Sequence, residues 1–299
     1  MRAVQFSEFG GPEVLEIVEA PQPHAGPREI RVIVGACGVN PIDWKIREGY
    51  MGGELPQRMG SEVAGVVDEV GDEVTDVTAG DQVFGPTSGG AADFAVLSHW
   101  AHVPATLDIP GAAALPVAVE TAVRGLEELG VSAGHTLLIN GGAGAVGTAT
   151  IQLAADRGAR VIVTASRRNA DRLRAYGAEV TAYGDGLAER VRELAPDGVD
   201  RVFDMGPGGA LPELVEIAGD PQHVLTISDF AGAGEAGVKA SSGGEAPRHW
   251  DALDHAATLI EQGKLTVPVQ QAFPLEQVAE AERLSQEGHL SGKLVLLVD

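Results

Sequence analysis

The sequence predicts an α/β protein of two domains, a barrel-like β domain and a doubly wound parallel sheet. Three observations predict it. Residues 1–110 break into short β-rich runs separated by Gly and Pro. From about residue 110 onward, helical and strand patterns alternate. In the middle lies Leu137–Arg168, LLINGGAGAVGTATIQLAADRGARVIVTASRR, where strand, glycine turn, helix and strand follow one another in ~30 residues. At 299 residues the chain is long enough to bury two cores.

In chain order, the first strands are expected at Met1–Phe6, Val14–Ala20, Glu29–Cys37, Glu62–Val70, Asp81–Phe84 and Ala91–Val96. Many of these runs alternate, and the turns between them are closely spaced, which suits a small barrel better than a sandwich of long strands. Pro41–Glu48 reads as a turn or two of helix leading into Gly49-Tyr50-Met51-Gly52-Gly53, and Gly111–Leu129 as an Ala-rich helix. Strands then fall at Thr136–Asn140, Arg160–Ala165, Glu179–Ala182, Val199–Asp204 and His223–Ile227. Helices alternate with them at Ala145–Arg157, Ala170–Tyr176, Leu187–Leu194, Gly209–Ala218 and His249–Gln262. Such alternation gives a parallel sheet covered by helices on both faces. Ala231–Pro247, AGAGEAGVKASSGGEAP, has no periodicity and reads as either a lid or a surface loop. Leu265–Asp299 closes the chain with a strand, a helix at Leu275–Glu287 and a strand at Lys293–Val298.

The turn Gly142-Ala143-Gly144-Ala145-Val146-Gly147 has the G-x-G-x-x-G spacing of a dinucleotide site, in its proper strand-to-helix context. Gly142 is expected to permit the tight turn, Gly144 to let a diphosphate approach the backbone, and Gly147 to let helix and strand pack closely. Free N–H groups and the dipole at the helix start then favour the anion. The tip of the second strand, Thr164-Ala165-Ser166-Arg167-Arg168, lacks the carboxylate that holds the ribose hydroxyls of NAD. A serine hydroxyl and paired guanidinium donors suit a 2′-phosphate instead, so Ser166, Arg167 and Arg168 point to NADPH. Arg157, Arg160, Arg172 and Arg174 enrich the same stretch, with Arg172 and Arg174 expected on a solvated helix face.

Composition excludes several classes. Hydrophobic content of 44% and charged content of 21% are ordinary for a globular protein. No run reaches the ~18 apolar residues of a membrane span. The start, MRAVQFSEFGG, has no apolar signal region, so a cytoplasmic location is expected. Cys37 is the single cysteine and falls in an apolar strand, where a small core residue is the ordinary reading. A net charge of −22 argues against nucleic acid and anionic membranes as partners, and leaves NADPH dependent on the local arginines.

Four motifs in order make the chain resemble the medium-chain dehydrogenase/reductases, in the zinc-free NADPH:quinone oxidoreductase branch that includes zeta-crystallin. They are GVNPIDWKIREG (Gly38–Gly49), GSEVAGVVDEVG (Gly60–Gly71) with GDQVFG (Gly80–Gly85), the GGAGAVG turn, and the tail FPLEQVAEAERLSQEGHLSGKLVLLV (Phe273–Val298). The resemblance implies a GroES-like β-barrel domain, residues 1–116 with 264–299, and a Rossmann-type domain, residues 117–263, inserted in it. It also implies an active-site cleft between them and a homodimer. Zinc-dependent relatives carry their metal on Cys, His and a second Cys or acid. The matching positions here are Asn40, Ser61 and Val117, which cannot supply three ligands, so no metal is expected. Hydride transfer to an already electrophilic acceptor, a quinone or conjugated enone, remains.

By the same resemblance Asn40, Asp43 and Tyr50 line the catalytic site, with Asn40 and Tyr50 as donors to the acceptor and Asp43 as a structural acceptor. Lys45 and Arg47 are expected on a solvated helix face. Thr121, Tyr183, Ser228 and Phe230 join the glycine turn in binding the cofactor, and Lys293 matches a tail lysine of structural or functional role. Two other functions stay open. One is an enoyl-thioester reductase of lipid or polyketide assembly; the other is a weakly catalytic NADPH-binding structural protein.

Overall fold

Short alternating runs separated by Gly and Pro form strands because each can bury one face and turn back within a few residues. A computed structural model describes residues 1–242 and 248–298. The strands of the first part are β1 (Arg2–Phe6), β2 (Leu15–Glu19), β3 (Ile30–Val39), β4 (Gln57–Arg58), β5 (Glu62–Val70), β6 (Gln82–Pro86), β7 (Phe94–Leu97) and β8 (Ala101–His102). Helix α1 (Pro41–Arg47) begins with Pro41 at its first position, where a missing N–H costs nothing. The expected single helix from Gly111 to Leu129 is instead two, α2 (Ile109–Ala113) and α3 (Pro116–Glu128). Pro116 accounts for the break: it disfavours helical backbone at Leu115 and has no N–H to donate backward.

The alternating part follows as β9 (Thr136–Asn140), α4 (Ala145–Asp156), β10 (Arg160–Thr164), α5 (Ala170–Ala175), β11 (Glu179–Thr181), α6 (Leu187–Leu194), β12 (Arg201–Asp204), α7 (Leu211–Ala218) and β13 (Val224–Thr226). The stretch expected to be aperiodic holds a helix, α8 (Phe230–Ala236), and a short strand, β14 (Lys239–Ala240). Asp229 starts that helix by accepting the Gly232 N–H at 2.8 Å, a cap that offsets the poor helix propensity of its glycines. The rest of that stretch, residues 243–247, lies outside the described residues. Helix α9 (Ala252–Glu261), β15 (Val269–Pro274), α10 (Val278–Glu287) and β16 (Lys293–Leu297) complete the chain.

The chain divides into two units, Met1–Val117 with Trp250–Asp299, and Ala118–His249. The return to the first unit comes at Trp250 rather than at residue 264, because α9 packs on β8. In the first unit a seven-stranded sheet runs β15-β16-β3-β5-β6-β8, with β7 also on β3, beside a three-stranded sheet β2-β1-β4. Its core gathers Val32, Val34, Cys37, Val63, Val83, Leu97, Phe273, Leu294 and Leu296. Burial pushes the Cys37 thiol well up, so it behaves as a core side chain.

The second unit is a six-stranded parallel sheet of order β11-β10-β9-β12-β13-β14. Leu138, Ile162, Val202 and Val224 from its strands pack with Leu187, Val191, Leu211 and Leu214 from α6 and α7. The chain winds outward from β9 to β11 on one side and from β12 to β14 on the other. That order creates a switch point between β9 and β12, the place where open parallel sheets bind ligands at their carboxyl ends. No helix among the described residues is long and apolar enough to cross a membrane.

Candidate functional site

The glycine turn sits at the carboxyl end of β9, at the switch point. Its left-handed residue is Gly141 (φ 87°), not Gly142, so the tight turn begins one residue earlier than the motif suggests. Gly142 is needed for a different reason: a Cβ there would collide with the Val163 side chain of β10. A Cβ on Gly147 would lie 2.5 Å from the Gly142 Cα, so the helix start folds directly onto the turn. A Cβ on Gly144 would meet nothing within 4 Å, so its face of the turn is open. The backbone N–H groups of Gly144, Ala145 and Val146 have no acceptor among the described residues, and they start the twelve-residue helix α4. An open cradle of donors at a helix N-terminus fits a diphosphate.

A hydrogen-bonded row fixes this edge of the sheet. The Thr164 hydroxyl accepts the Gly141 N–H at 3.0 Å and donates to Asn140 Oδ1 at 2.7 Å. Asn140 Nδ2 donates to Asp204 Oδ1 at 2.8 Å, and Asp204 Oδ2 accepts the Thr226 hydroxyl at 2.7 Å and the Ser228 hydroxyl at 3.2 Å. Four neighbouring strand ends are thereby tied through buried side chains. Sequence reading missed Asn140 and Asp204; a polar residue ending each of two apolar strands was the available signal. Of the residues expected at the cofactor, Thr121 is buried on α3, Ser228 turns its hydroxyl into this row, and Tyr183 and Phe230 are exposed.

Ser166, Arg167 and Arg168 follow β10 directly, and the two arginines are exposed. The other arginines of this stretch also have partners within the protein. Arg157 pairs with Glu127 at 2.8 Å, Arg160 with Glu179 at 2.7 Å and Arg174 with Asp171 at 2.9 Å. Arg172 is not on a solvated face: its guanidinium donates to the Ala143 carbonyl at 2.8 Å and to the Thr148 hydroxyl at 3.4 Å. The expectation failed because a backbone carbonyl as target leaves no trace in side-chain periodicity.

The first unit carries a second cluster, where β3 hands over to α1. Asp43 accepts the Asn40 N–H at 2.7 Å and the Ser61 hydroxyl at 2.6 Å. Asn40 Nδ2 donates to Glu62 Oε1 at 2.7 Å, and Lys293 of β16 donates to Asn40 Oδ1 at 2.5 Å. Lys293 also lies 2.5 Å from Glu62 Oε1, and Glu62 Oε2 accepts the Val117 N–H at 2.7 Å. An ammonium group only donates, so the amide atom it faces is oxygen, and the Asn40 NH₂ turns toward Glu62 with one hydrogen beyond that bond. Asn40, Asp43, Glu62 and Lys293 are all buried, whereas Tyr50 is 73% exposed and lies edge-on to Trp44. Burial raises the Asp43 carboxyl to about 6, against the pull of its Ser61 and Asn40 hydrogen bonds.

This donor set does not fit zinc. Ser61 points at Asp43, Val117 offers only its N–H, and a lysine ammonium sits against the Glu62 carboxylate where a cation would have to bind.

Lys45 stacks on Trp44 at 5.6 Å, but Arg47 is not on a solvated face: it is fully buried. It bonds Glu282 of α10 at 3.3 Å, the Gly10 carbonyl, and Gln286 at 3.4 Å. Burial pushes the Glu282 carboxyl up to about 8, with the Asp43 charge adding and Arg47 opposing. A carboxyl raised in the folded state binds a proton that the unfolded chain has released. Between about pH 4.5 and 8 the folded state therefore loses stability as pH rises. Urea unfolding from pH 5 to 8.5 should show this decline, and Glu282→Gln should flatten it. An identical slope in the variant would remove Glu282 as its source.

Residues 26–122 match the family model described as alcohol dehydrogenase GroES-like domain, and residues 176–296 the one described as zinc-binding dehydrogenase. The quinone oxidoreductase of Rattus norvegicus is 31% identical over 100% of this chain and 98% of its own length. The chloroplastic NADPH-dependent alkenal/one oxidoreductase of Arabidopsis thaliana is 32% identical over 99% of this chain and 79% of its own. The Escherichia coli quinone oxidoreductase, solved in complex with NADPH, superposes with a TM-score of 0.84 at 25% identity, covering 100% of both chains. With full-length relatives above 30% identity, both sheets in place and the glycine turn at the switch point, the chain belongs to the medium-chain dehydrogenase/reductase superfamily, in its quinone oxidoreductase branch.

Proposed function

We propose that the protein is an NADPH-dependent, zinc-independent oxidoreductase that reduces a quinone or a conjugated enone. The observation that carries this reading is the open glycine turn followed by Ser166 and the exposed Arg167 and Arg168, with no carboxylate at the strand tip. The names of the relatives support the reaction class. NADPH, when bound, supplies the hydride. The turn N–H groups hold the diphosphate, and Arg167 and Arg168 hold the 2′-phosphate through charge-assisted bonds. Asn40 offers its second amide hydrogen to the acceptor oxygen as negative charge develops there, with its orientation set by Lys293 and Glu62. The acceptor is electrophilic on its own, so the donor set that refuses zinc is no obstacle. A cytoplasmic homodimer belongs to the same reading.

The test is NADPH oxidation by chelator-treated enzyme over quinones, short enones and enoyl thioesters. Turnover is expected with the first two classes, and its absence with every acceptor would overturn the function. Cofactor preference is the sharper measure. NADPH should bind at least about tenfold more tightly than NADH, the value of one charge-assisted contact. Replacing both Arg167 and Arg168 by Ala should erase most of that preference and leave NADH binding unchanged. Equal affinities in the wild type would remove the NADPH assignment.

A further inference from the structure

Arg172 of the second unit reaches the glycine turn itself. Its guanidinium has no carboxylate within ion-pair distance among the described residues, yet it is half-buried rather than in solvent. It stacks over Tyr176 at 5.9 Å and donates to the Ala143 carbonyl and the Thr148 hydroxyl, so α5 is joined to the glycine turn and to α4. We propose that Arg172 is a positioning residue for the diphosphate of the dinucleotide. Through the Ala143 carbonyl it fixes the turn so that the Gly144 N–H faces the anion, and it leaves an uncompensated positive charge behind that turn.

The geometry of one peptide unit carries the first half. The Ala143–Gly144 peptide is planar and trans, so its C=O and N–H point in opposite directions. With the carbonyl held by Arg172, the Gly144 N–H is held pointing away from α5, and it has no acceptor among the described residues. The side of the turn at Gly144 is the one open to a ligand. A free turn of this kind could rotate its peptide; a guanidinium braced by a hydroxyl and an aromatic ring does not let it.

Charge carries the second half. The protein as a whole is strongly negative, with a net charge of −22. Arg157, Arg160 and Arg174 are neutralised by their own acids, so they add little field near the turn. Arg172 is paired with a neutral carbonyl and a hydroxyl, and its full charge adds to the dipole of α4. The diphosphate is common to NADH and NADPH, so Arg172 raises affinity for both without choosing between them. That separates it from Arg167 and Arg168.

This inference rests on the cofactor reading above, and the experiment keeps the two apart by splitting the dinucleotide into probes. ADP carries the diphosphate without a 2′-phosphate; 2′-AMP carries the 2′-phosphate without a diphosphate. Calorimetric titration of Arg172→Met should show ADP, NADH and NADPH each weakened about tenfold, with the NADPH to NADH ratio and 2′-AMP binding unchanged. Arg172→Lys, which returns the charge, should recover most of the loss. The paired Arg167→Ala and Arg168→Ala change should give the mirror image, losing 2′-AMP and keeping ADP. ADP affinity in Arg172→Met within twofold of wild type would overturn the proposal, as would an equal loss of ADP and 2′-AMP, the mark of a merely structural role. Arg172→Gln is measured beside it for the case in which Arg172→Met folds poorly, with the same expected pattern and the same overturning results. Wild-type protein that binds none of the four ligands would overturn the cofactor reading itself.

Discussion

Asn40→Ala should lower kcat on an enone or a quinone by about 10²–10³, the usual cost of removing one donor aimed at developing negative charge. The structure gives this number a specific source. Lys293 holds the Asn40 oxygen and Glu62 holds one of its amide hydrogens, so the side chain cannot rotate and its remaining hydrogen has one direction. Such a donor needs no reorganisation when charge appears on the acceptor. NADPH affinity should stay within about twofold, because the glycine turn and its arginines belong to the other unit. Quinones should suffer less than enones, since less of their barrier depends on the protein. Tyr50→Phe should cost less than Asn40→Ala: an exposed hydroxyl works through water, where each hydrogen bond is worth less. Steady-state kinetics on both acceptor classes checks this, and wild-type rates for Asn40→Ala on all of them would take Asn40 out of the reaction.

Lys293→Met should destabilise the protein by about 3–5 kcal/mol, because it strands the buried Glu62 carboxylate without its counter-charge. That is a large share of the roughly 5–15 kcal/mol that holds a domain folded. Methionine matches the length and apolar stem of lysine, so little of the loss comes from packing. Adding Glu62→Gln to Lys293→Met should recover most of it, since neither charge then remains. Denaturant unfolding of both single variants and the double variant reads the coupling directly. A double variant as unstable as Lys293→Met alone would assign the loss to packing instead.

Local features of the fold were legible and distant ones were not. The glycine spacing, the alternation of strand and helix, and Pro and Gly between short strands each act within a few residues, so a linear reading meets them whole. Arg47 shows the opposite case. In PIDWKIR it looks like the charged face of a short helix, but its partner Glu282 lies on a helix near the other end of the chain. Lys293 and Asn40 meet across a similar separation, through the pairing of Leu294 with Val39. Resemblance named the tail lysine but not its pairing with Glu62. Arg172 was misjudged on another ground, since backbone carbonyls are the same at every position and no pattern advertises which one a side chain will find. Helix α8 was hidden because its glycines read as a loop, while the Asp229 cap that starts it is a single residue.

The place of β16 in the sheet sets an order of events during synthesis. It is not an edge strand: it lies between β15 and β3, and it brings Lys293 to a carboxylate made nearly the whole chain earlier. As the chain leaves the ribosome, β3 can pair with β5 and, over Ile30–Ile33, with β7, but the Ala36–Val39 part of that flank and the charge on Glu62 stay unmatched until β16 emerges. The second unit is a continuous segment and has no such wait. The second unit can thus complete its sheet before the first, against the usual N-terminal-first order, and until β16 pairs the first unit carries an open strand edge.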